Sequence, residues 1–162
     1  MSVRRETELL RNVPLFAAID PLQLQVLVFS ADRIEVAANE VLFTAGDPVG
    51  AGHLVVHGQG EVLKPARDKE AGGHERFATV EAGAFLGELS MVANLPATVT
   101  VRALTSLRIL RIGNDLFLRV CGEFPDIGAK VQEALSLRLD TSLEDLRQAQ
   151  VYFDRARPFS RS

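Results

Sequence analysis

The stretch GAFLGELSMV, residues 83–92, decides the fold of this chain, and NLPATVTVRA, residues 94–103, continues it. Two glycines bracket an aromatic residue, and the step from Gly87 to Glu88 opens a short apolar helical turn. The first N–H groups of a helix have no intrahelical partner, and the helix dipole places partial positive charge beside them. Gly87 lets a ligand approach the backbone where a Cβ would block it. This order of residues therefore predicts an anion-binding turn.

The same residues resemble the phosphate-binding cassette of the cyclic nucleotide-binding domain family, in the form found in catabolite-activator-type bacterial regulators. The first half of that cassette reads Gly-x-Phe-x-Gly-Glu-(Leu/Ile)-(Ala/Ser/Gly), and this chain matches it at Gly83, Phe85, Gly87, Glu88, Leu89 and Ser90. The resemblance implies that backbone amides from Gly87 to Ser90 face a cyclic phosphate. It also implies that Glu88 meets the ribose 2′-hydroxyl and that Thr98 contacts the phosphate. The ligand-binding residues predicted in this way are Phe85, Gly87, Glu88, Leu89, Ser90, Ala97, Thr98 and Val99.

The second half of the cassette departs from the family pattern at Ala97. When residues 101–103 are aligned to the strand that closes the cassette, the family's phosphate-pairing arginine falls at Ala97. A charged hydrogen bond contributes about 1.5 to 3 kcal/mol, and an arginine often binds a phosphate through two of them. Its loss is expected to weaken cyclic nucleotide binding on the order of a hundredfold. Arg102 is a poor substitute, because alternation along a strand places it on the opposite face from Ala97.

Composition and charge restrict the class of protein. The chain has 162 residues, is 47% hydrophobic and carries a formal net charge of -3, which predicts one soluble globular domain. This mild acidity provides no general basic surface for nucleic acid, and the chain ends at Ser162, where DNA-binding members of the family would continue into a helix-turn-helix. A single cysteine, Cys121, excludes an internal disulfide and a cysteine metal cluster. We expect a cytoplasmic protein with no membrane span and no nucleic acid partner of its own.

The order of apolar patterns predicts a mainly β protein with flanking helices. Residues 1–32 predict N-terminal helices, one of them beginning at the capping pair Asp20 and Pro21. Residues 33–113 carry short β-branched runs between Gly and Asp turns, which predicts about eight strands. The polar stretch 64–75 is predicted to be a hairpin tip or loop. The resemblance implies that the strands form an antiparallel double-stranded β-helix, a jelly-roll-like β-roll.

Residues 114–162 are predicted to form C-terminal helices that complete one compact domain. Asn114 is expected to cap the first of them, and a longer helix is expected from Ile127 to about Arg155. A seam with alternating spacings of four and three residues, typical of a coiled coil, runs through Leu135, Leu139, Ser142, Leu146, Ala149 and Phe153. We predict a homodimer whose contacts include Leu135, Leu139, Leu146 and Phe153. The alternative is that this helix packs back on its own β-roll.

The sequence contains no recognisable catalytic or metal-binding arrangement. His53 and His57 are four residues apart on a predicted strand, which separates them by about 13 Å, too far for one metal ion. Glu144 and Asp145 are adjacent on a helix and face apart, so they do not form an acid/base pair. Ser90 lacks the Gly-x-Ser-x-Gly surround of a hydrolase nucleophile. We predict a protein that is not an enzyme and has no cofactor or metal.

Two functions stay open. In the first, the β-roll binds cyclic AMP, cyclic GMP or another small anion, and the long helix shifts to report occupancy to an unidentified protein partner or to its dimer mate. In the second, the fold has lost its ligand and the helix serves as an interaction surface. The intact step from Gly87 to Glu88 favours the sensor, and Ala97 favours the interaction module.

Overall fold

The computed structural model describes residues 2–65 and 74–141. Within those ranges helices precede and follow a set of eight strands. One short helix is inserted between the sixth and seventh strands. The helical elements are α1 (Val3–Arg11), a 3-10 turn (Pro14–Phe16), α2 (Pro21–Ser30), α3 (Glu88–Ala93), α4 (Asn114–Glu123) and α5 (Pro125–Thr141). The strands are β1 (Asp32–Val36), β2 (Val41–Phe43), β3 (Ala51–His57), β4 (Gly60–Pro65), β5 (His74–Val80), β6 (Phe85–Leu86), β7 (Thr100–Ala103) and β8 (Leu107–Gly113).

The strands form two four-stranded sheets, ordered β1-β8-β3-β6 and β2-β7-β4-β5. Every strand pairing within them is antiparallel. Apolar side chains from both sheets meet between them, with Val55 and Ile109 from the first sheet and Val62 and Val101 from the second. This architecture of two facing sheets with flanking helices confirms the predicted jelly-roll-like fold class.

The turn between β3 and β4 shows why glycine is needed at this corner of the roll. Gly58 has a φ of +99°, in the left-handed region that residues with a Cβ avoid. A Cβ built there would also lie 2.2 Å from the carbonyl oxygen of Ser106. The backbones of the two connecting loops therefore approach each other more closely than any side chain allows.

Helices cover the outer face of the first sheet. Leu54 and Val56 of β3 point away from the roll interior and join a cluster of side chains from every helix in the described part of the chain. Its buried helical members include Leu10, Phe16, Leu24, Met91, Phe117, Val120, Ile127 and Val131. The first turns of α5 pack against the 3-10 turn and α4, so this part of the helix belongs to the domain core.

Two strand boundaries differ from those predicted, and the first helix has a cap that the sequence analysis did not name. The first helix begins at Val3 because the hydroxyl of Ser2 caps it by accepting a hydrogen bond from the Arg5 N–H. Strand β4 continues through residue 65 and β5 begins at residue 74, so strand residues occupy both ends of the predicted loop. The Lys64 ammonium lies 3.6 Å from the centroid of the Phe77 ring and joins these polar strand ends.

The predicted capping role of Asn114 is wrong. Gly113 occupies the N-cap position of α4 without a side-chain cap, and Asn114 is the first helical residue. The Asn114 side-chain amide instead donates a 2.6 Å hydrogen bond to the carbonyl oxygen of Met91 in α3. This contact satisfies an otherwise unpaired carbonyl near the end of α3 and links the two helices.

The predicted dimer seam lies only partly within the described residues. Leu135 is half-buried and packs against the helical cluster of its own chain. Leu139 lies within α5, and Leu146 and Phe153 lie outside the described residues. The part of the chain that the structure describes contains no helix with the length and hydropathy of a membrane span.

Candidate functional site

The short helix α3 begins at a glycine with a left-handed backbone. Gly87 is its N-cap, with φ of 78° and ψ of 37°. A Cβ at this position would lie 2.8 Å from the carbonyl oxygen of Ala51 on the neighbouring strand. The conformation and this close contact both require glycine, and together they fix the direction in which the first turn of α3 points.

The first turn of α3 leaves backbone donors available. The Met91 N–H donates to the Gly87 carbonyl oxygen at 3.0 Å, which closes the turn. The hydroxyl of Ser90, whose side chain is buried, donates to the Leu95 carbonyl oxygen at 2.7 Å. In residues 2–65 and 74–141, no acceptor takes the backbone N–H groups of Leu89 and Ser90. These two donors are the feature that an anion requires.

Glu88 and Leu89 lie in the first turn of α3, and both are at least partly exposed to solvent. The side chain of Glu88 is half-buried, and its place in the first helical turn gives its carboxylate a favourable interaction with the helix dipole. Leu89 is half exposed. The predicted contact of Glu88 with a ribose hydroxyl stays a prediction.

Phe85 anchors the cassette to the helical layer. Its ring makes an edge-to-face contact with Phe16, with the ring centroids 5.3 Å apart. The next residue, Leu86, packs into the interior of the roll. Successive side chains of a strand point to opposite faces of the sheet. Phe85 therefore packs against the helices on the outer face of the sheet and does not line the interior of the roll.

Ala97 is enclosed by apolar side chains and by the loop before β3. Its side chain is buried in a cluster with Phe43 and Val101. Its carbonyl oxygen accepts a 2.7 Å hydrogen bond from the Gly46 N–H, and its own N–H donates to the Asp47 carbonyl oxygen at 2.9 Å. The position that carries the family's arginine is therefore fixed in place and uncharged. Its two neighbours differ, since Thr98 is exposed and Val99 packs partly against the same cluster.

Arg102 is bound elsewhere, as the alternation along β7 predicts. Its guanidinium hydrogen-bonds the carboxylate of Glu61, which is only 2% exposed and also accepts a 2.8 Å hydrogen bond from Arg76. The hydrogen bond from Arg76, reinforced by Arg102, lowers the pKa of Glu61 below its ordinary value. Arg102 is thus held by an acidic partner on the face opposite Ala97.

His53 is a residue that the sequence reading missed as a site candidate. Its side chain is 3% exposed on β3, and its Nδ1 atom has no hydrogen-bond partner among the residues that the structure describes. Burial, together with the charge of Arg111, lowers the pKa of His53 to about 4. The sequence carried one signal of this burial, because His53 lies between Ala51 and Val55 in a strand with little polar character. Side chains alternate along a strand, so the imidazole is expected on the same inward face as these two apolar residues.

The sequence is similar to those of known proteins. The sequence model of the cyclic nucleotide-binding domain matches residues 33–124. An uncharacterized NTE family protein of Mycobacterium tuberculosis is 32% identical over 133 residues, which are 82% of this chain and 22% of that protein. A cAMP-dependent protein kinase regulatory subunit of Emericella nidulans is 27% identical over 118 residues, which are 73% of this chain and 27% of that protein. The chain thus spans less than a third of the length of these relatives.

A solved structure shows the same fold. It is the N-terminal domain of a transcriptional regulator from Streptomyces coelicolor, with a TM-score of 0.76 and 29% sequence identity. The match covers 83% of this chain and 94% of that domain. The two sheets and flanking helices described above are therefore also the architecture of that domain.

Proposed function

The chain belongs to the cyclic nucleotide-binding domain family, and from this premise we propose that it is a non-enzymatic sensor domain that binds cyclic AMP or cyclic GMP weakly. The observation that carries the proposal is the turn at Gly87, which presents the N–H groups of Leu89 and Ser90 without an acceptor in the described residues. A cyclic phosphate would accept hydrogen bonds from these donors. The exposed hydroxyl of Thr98 is a further donor on the far side of the loop.

Weak affinity follows from the residue at position 97. Backbone amides supply neutral donors to the phosphate, whereas the family's arginine supplies a charged and often bidentate pair. Ala97 supplies neither charge nor donor from its side chain, and Arg102 is held by Glu61. The deficit is on the order of a hundredfold in affinity, from the 1.5 to 3 kcal/mol of a charged hydrogen bond.

A continuous set of contacts connects the cassette to α5. The Asn114 amide bonds the Met91 carbonyl oxygen, so a shift of α3 acts directly on the start of α4. Met91 is fully buried in the same cluster as Phe117 of α4 and Ile127 of α5. Because a packed core transmits displacements, a ligand that pulls on the Gly87 turn would move α5 through these residues.

We extend the proposal to a homodimer formed by the C-terminal helix. The described turns of α5 bury Ile127 and Val131 within the domain, and Leu135 marks the edge of that contact. Seam residues beyond this edge, beginning with Leu139, would then be available to a second copy. In a dimer, a displacement of α5 in one subunit would also act on the second subunit through this contact.

A second candidate is an interaction module without a ligand. The observation in its favour is the apolar enclosure of Ala97, whose backbone is already bonded to Gly46 and Asp47. In this case the helical layer would carry the function and the roll would be a scaffold.

Calorimetric titration with cyclic AMP and cyclic GMP separates the two candidates, with Ala97→Arg as the decisive variant. We expect Ala97→Arg to bind on the order of a hundredfold more tightly than the wild type, because it restores the charged partner. Ala97→Met is the matched control, since it adds comparable length without charge and is expected to gain nothing. A folded Ala97→Arg protein that binds neither nucleotide would refute the sensor and favour the interaction module.

A further inference from the structure

A row of side chains crosses the inner face of the first sheet beside the cassette. Asp32 of β1 pairs with Arg111 of β8, Arg111 pairs with His53 of β3, and His53 pairs with Leu86 of β6. Directly opposed residues in antiparallel strands project to the same face. Since Leu86 packs into the interior clusters, the whole row faces into the roll.

His53 is the enclosed polar member of this row. Its side chain is 3% exposed and its ring lies 5.3 Å, centroid to centroid, from the ring of Phe43. Phe43 belongs to the cluster that encloses Ala97. The unpartnered Nδ1 atom therefore lies in the interior of the roll, close to the position where the family carries its arginine.

The row adjoins the cassette at one end and an open cleft at the other. Leu86, the cross-strand neighbour of His53, immediately precedes Gly87, and adjacent strands are about 4.8 Å apart. At the other end, Arg111 lines a cleft of about 480 Å³ together with Gly50 and Asn94. His53 thus lies between Leu86, which precedes the Gly87 turn, and Arg111, which lines this cleft.

An unpaired nitrogen in this place needs an explanation. The great majority of buried polar side-chain atoms in proteins have a partner, and one without it lowers stability. In a domain that binds no ligand, a histidine with an unpartnered nitrogen would only lower stability, and an apolar residue at this position would avoid that loss. The cost is understandable if a bound molecule supplies the missing partner.

We propose that the Nδ1 atom of His53 forms a hydrogen bond with an uncharged polar group, such as a hydroxyl, of a ligand held beside the cassette. This inference rests on the sensor function proposed above. A hydroxyl both donates and accepts, so it pairs with either tautomer of a neutral imidazole. The depressed pKa of His53 keeps the imidazole neutral near pH 7, so its contact with the ligand would be a neutral hydrogen bond and not an ion pair.

The test is made in the Ala97→Arg background, with cyclic AMP as the probe and calorimetry as the measurement. We expect His53→Leu to weaken cyclic AMP binding about tenfold, the value of one neutral hydrogen bond to a buried group. His53→Asn, whose side-chain amide lies near the position of Nδ1, should retain most of the affinity. The melting temperature of the ligand-free protein should rise in His53→Leu, because the unpaired atom is gone.

The outcomes separate this inference from the function on which it rests. If Ala97→Arg binds and His53→Leu leaves the affinity unchanged, the contact is refuted while the sensor function stands. If folded Ala97→Arg does not bind cyclic AMP or cyclic GMP, both are refuted.

A second measurement does not depend on the folding of His53→Leu. Nitrogen NMR of labelled histidine in the Ala97→Arg protein should show a shift of the His53 Nδ1 resonance on addition of cyclic AMP. His57, exposed on the same strand, is the internal reference and should not move. An unmoved His53 resonance at saturation would overturn the inference.

Discussion

Acid should destabilise this domain through His53 at a pH well above the range in which carboxylates titrate. The pKa of His53 falls from 6.5 to about 4 in the folded protein because the imidazole is buried and faces the charge of Arg111. A proton therefore binds the unfolded chain more readily than the folded one. Stability is fully present above pH 6.5 and is lost as the pH falls towards 4.

The size of the loss follows from the difference between the two pKa values. At pH 5 the unfolded histidine is almost fully protonated and the folded one almost fully neutral, which costs about 2 kcal/mol. The loss approaches about 3 kcal/mol near pH 4. Asp32, the other charged member of the inner-face row, lies next to Arg111 and not next to His53, so the imidazolium would gain no directly paired carboxylate.

Urea denaturation at pH 7.5 and pH 5.0 measures the effect. Glu61, whose folded pKa is lowered by Arg76 and Arg102, loses its contribution only as the pH falls below its ordinary value of 4.5, so it does not interfere in this interval. His53→Leu should abolish most of the difference between the two pH values. His57→Gln, a change at an exposed position of the same strand, should leave the difference as in the wild type. A wild type that is equally stable at both pH values, or a His53→Leu variant that loses as much as the wild type, would contradict the burial argument.

Two further predictions concern the corner of the roll and the C-terminal helix. Gly58→Ala should lower the free energy of unfolding by roughly 3 kcal/mol, because the alanine would have both left-handed backbone strain and a clash with the Ser106 carbonyl oxygen. Gly46→Ala should lower it by only about 1 to 2 kcal/mol, because Gly46 has a φ of +92° but open space around it. Equal losses in urea denaturation would show that the clash is relieved by movement of the loop. Leu139→Glu should convert a dimer to a monomer in sedimentation at micromolar concentration, and the exposed Gln132→Glu on the same helix is the control. A wild type that sediments as a monomer, or a dimer that survives Leu139→Glu, would refute the seam.

The order of helices and strands was predictable because its signals are local, whereas the jelly-roll-like arrangement of the strands followed from the family resemblance. Gly46, Gly58 and the Asp20 cap mark turns and helix starts whose chemistry depends on adjacent residues, and the observed elements follow them. The turn at Gly87 was also predictable, since its left-handed backbone is a requirement that few residues satisfy. The separation of Arg102 from Ala97 agrees with the predicted alternation, although Ala97 precedes β7 and is placed by its contacts with Phe43 and Val101.

What the sequence did not reveal depends on contacts between distant elements. Asn114 has the composition of a helix cap, but its amide reaches Met91 in a helix 23 positions earlier, and no local pattern specifies that contact. The buried environment of His53 was not predictable either, because it arises from Phe43 and Arg111, which come from two other strands. Partners separated this far along the chain are set by packing of the two sheets, and packing is not visible in spacing.

The side chains that pack around position 97 are apolar, whereas the family pattern has an arginine there. A buried alanine stands at the position aligned with the family's arginine, and His53, whose pKa is lowered to about 4, packs against Phe43 of the same apolar cluster. Arg111 carries a full charge on the same inner face, yet it donates to the Val49 carbonyl oxygen at 3.4 Å and lies 3.7 Å from the Asp32 carboxylate. A phosphate bound here would depend on amide geometry, which is directional and weaker than a guanidinium pair. On the function proposed above, the Gly87 turn together with an uncharged Ala97 favours a ligand recognised by shape and neutral hydrogen bonds.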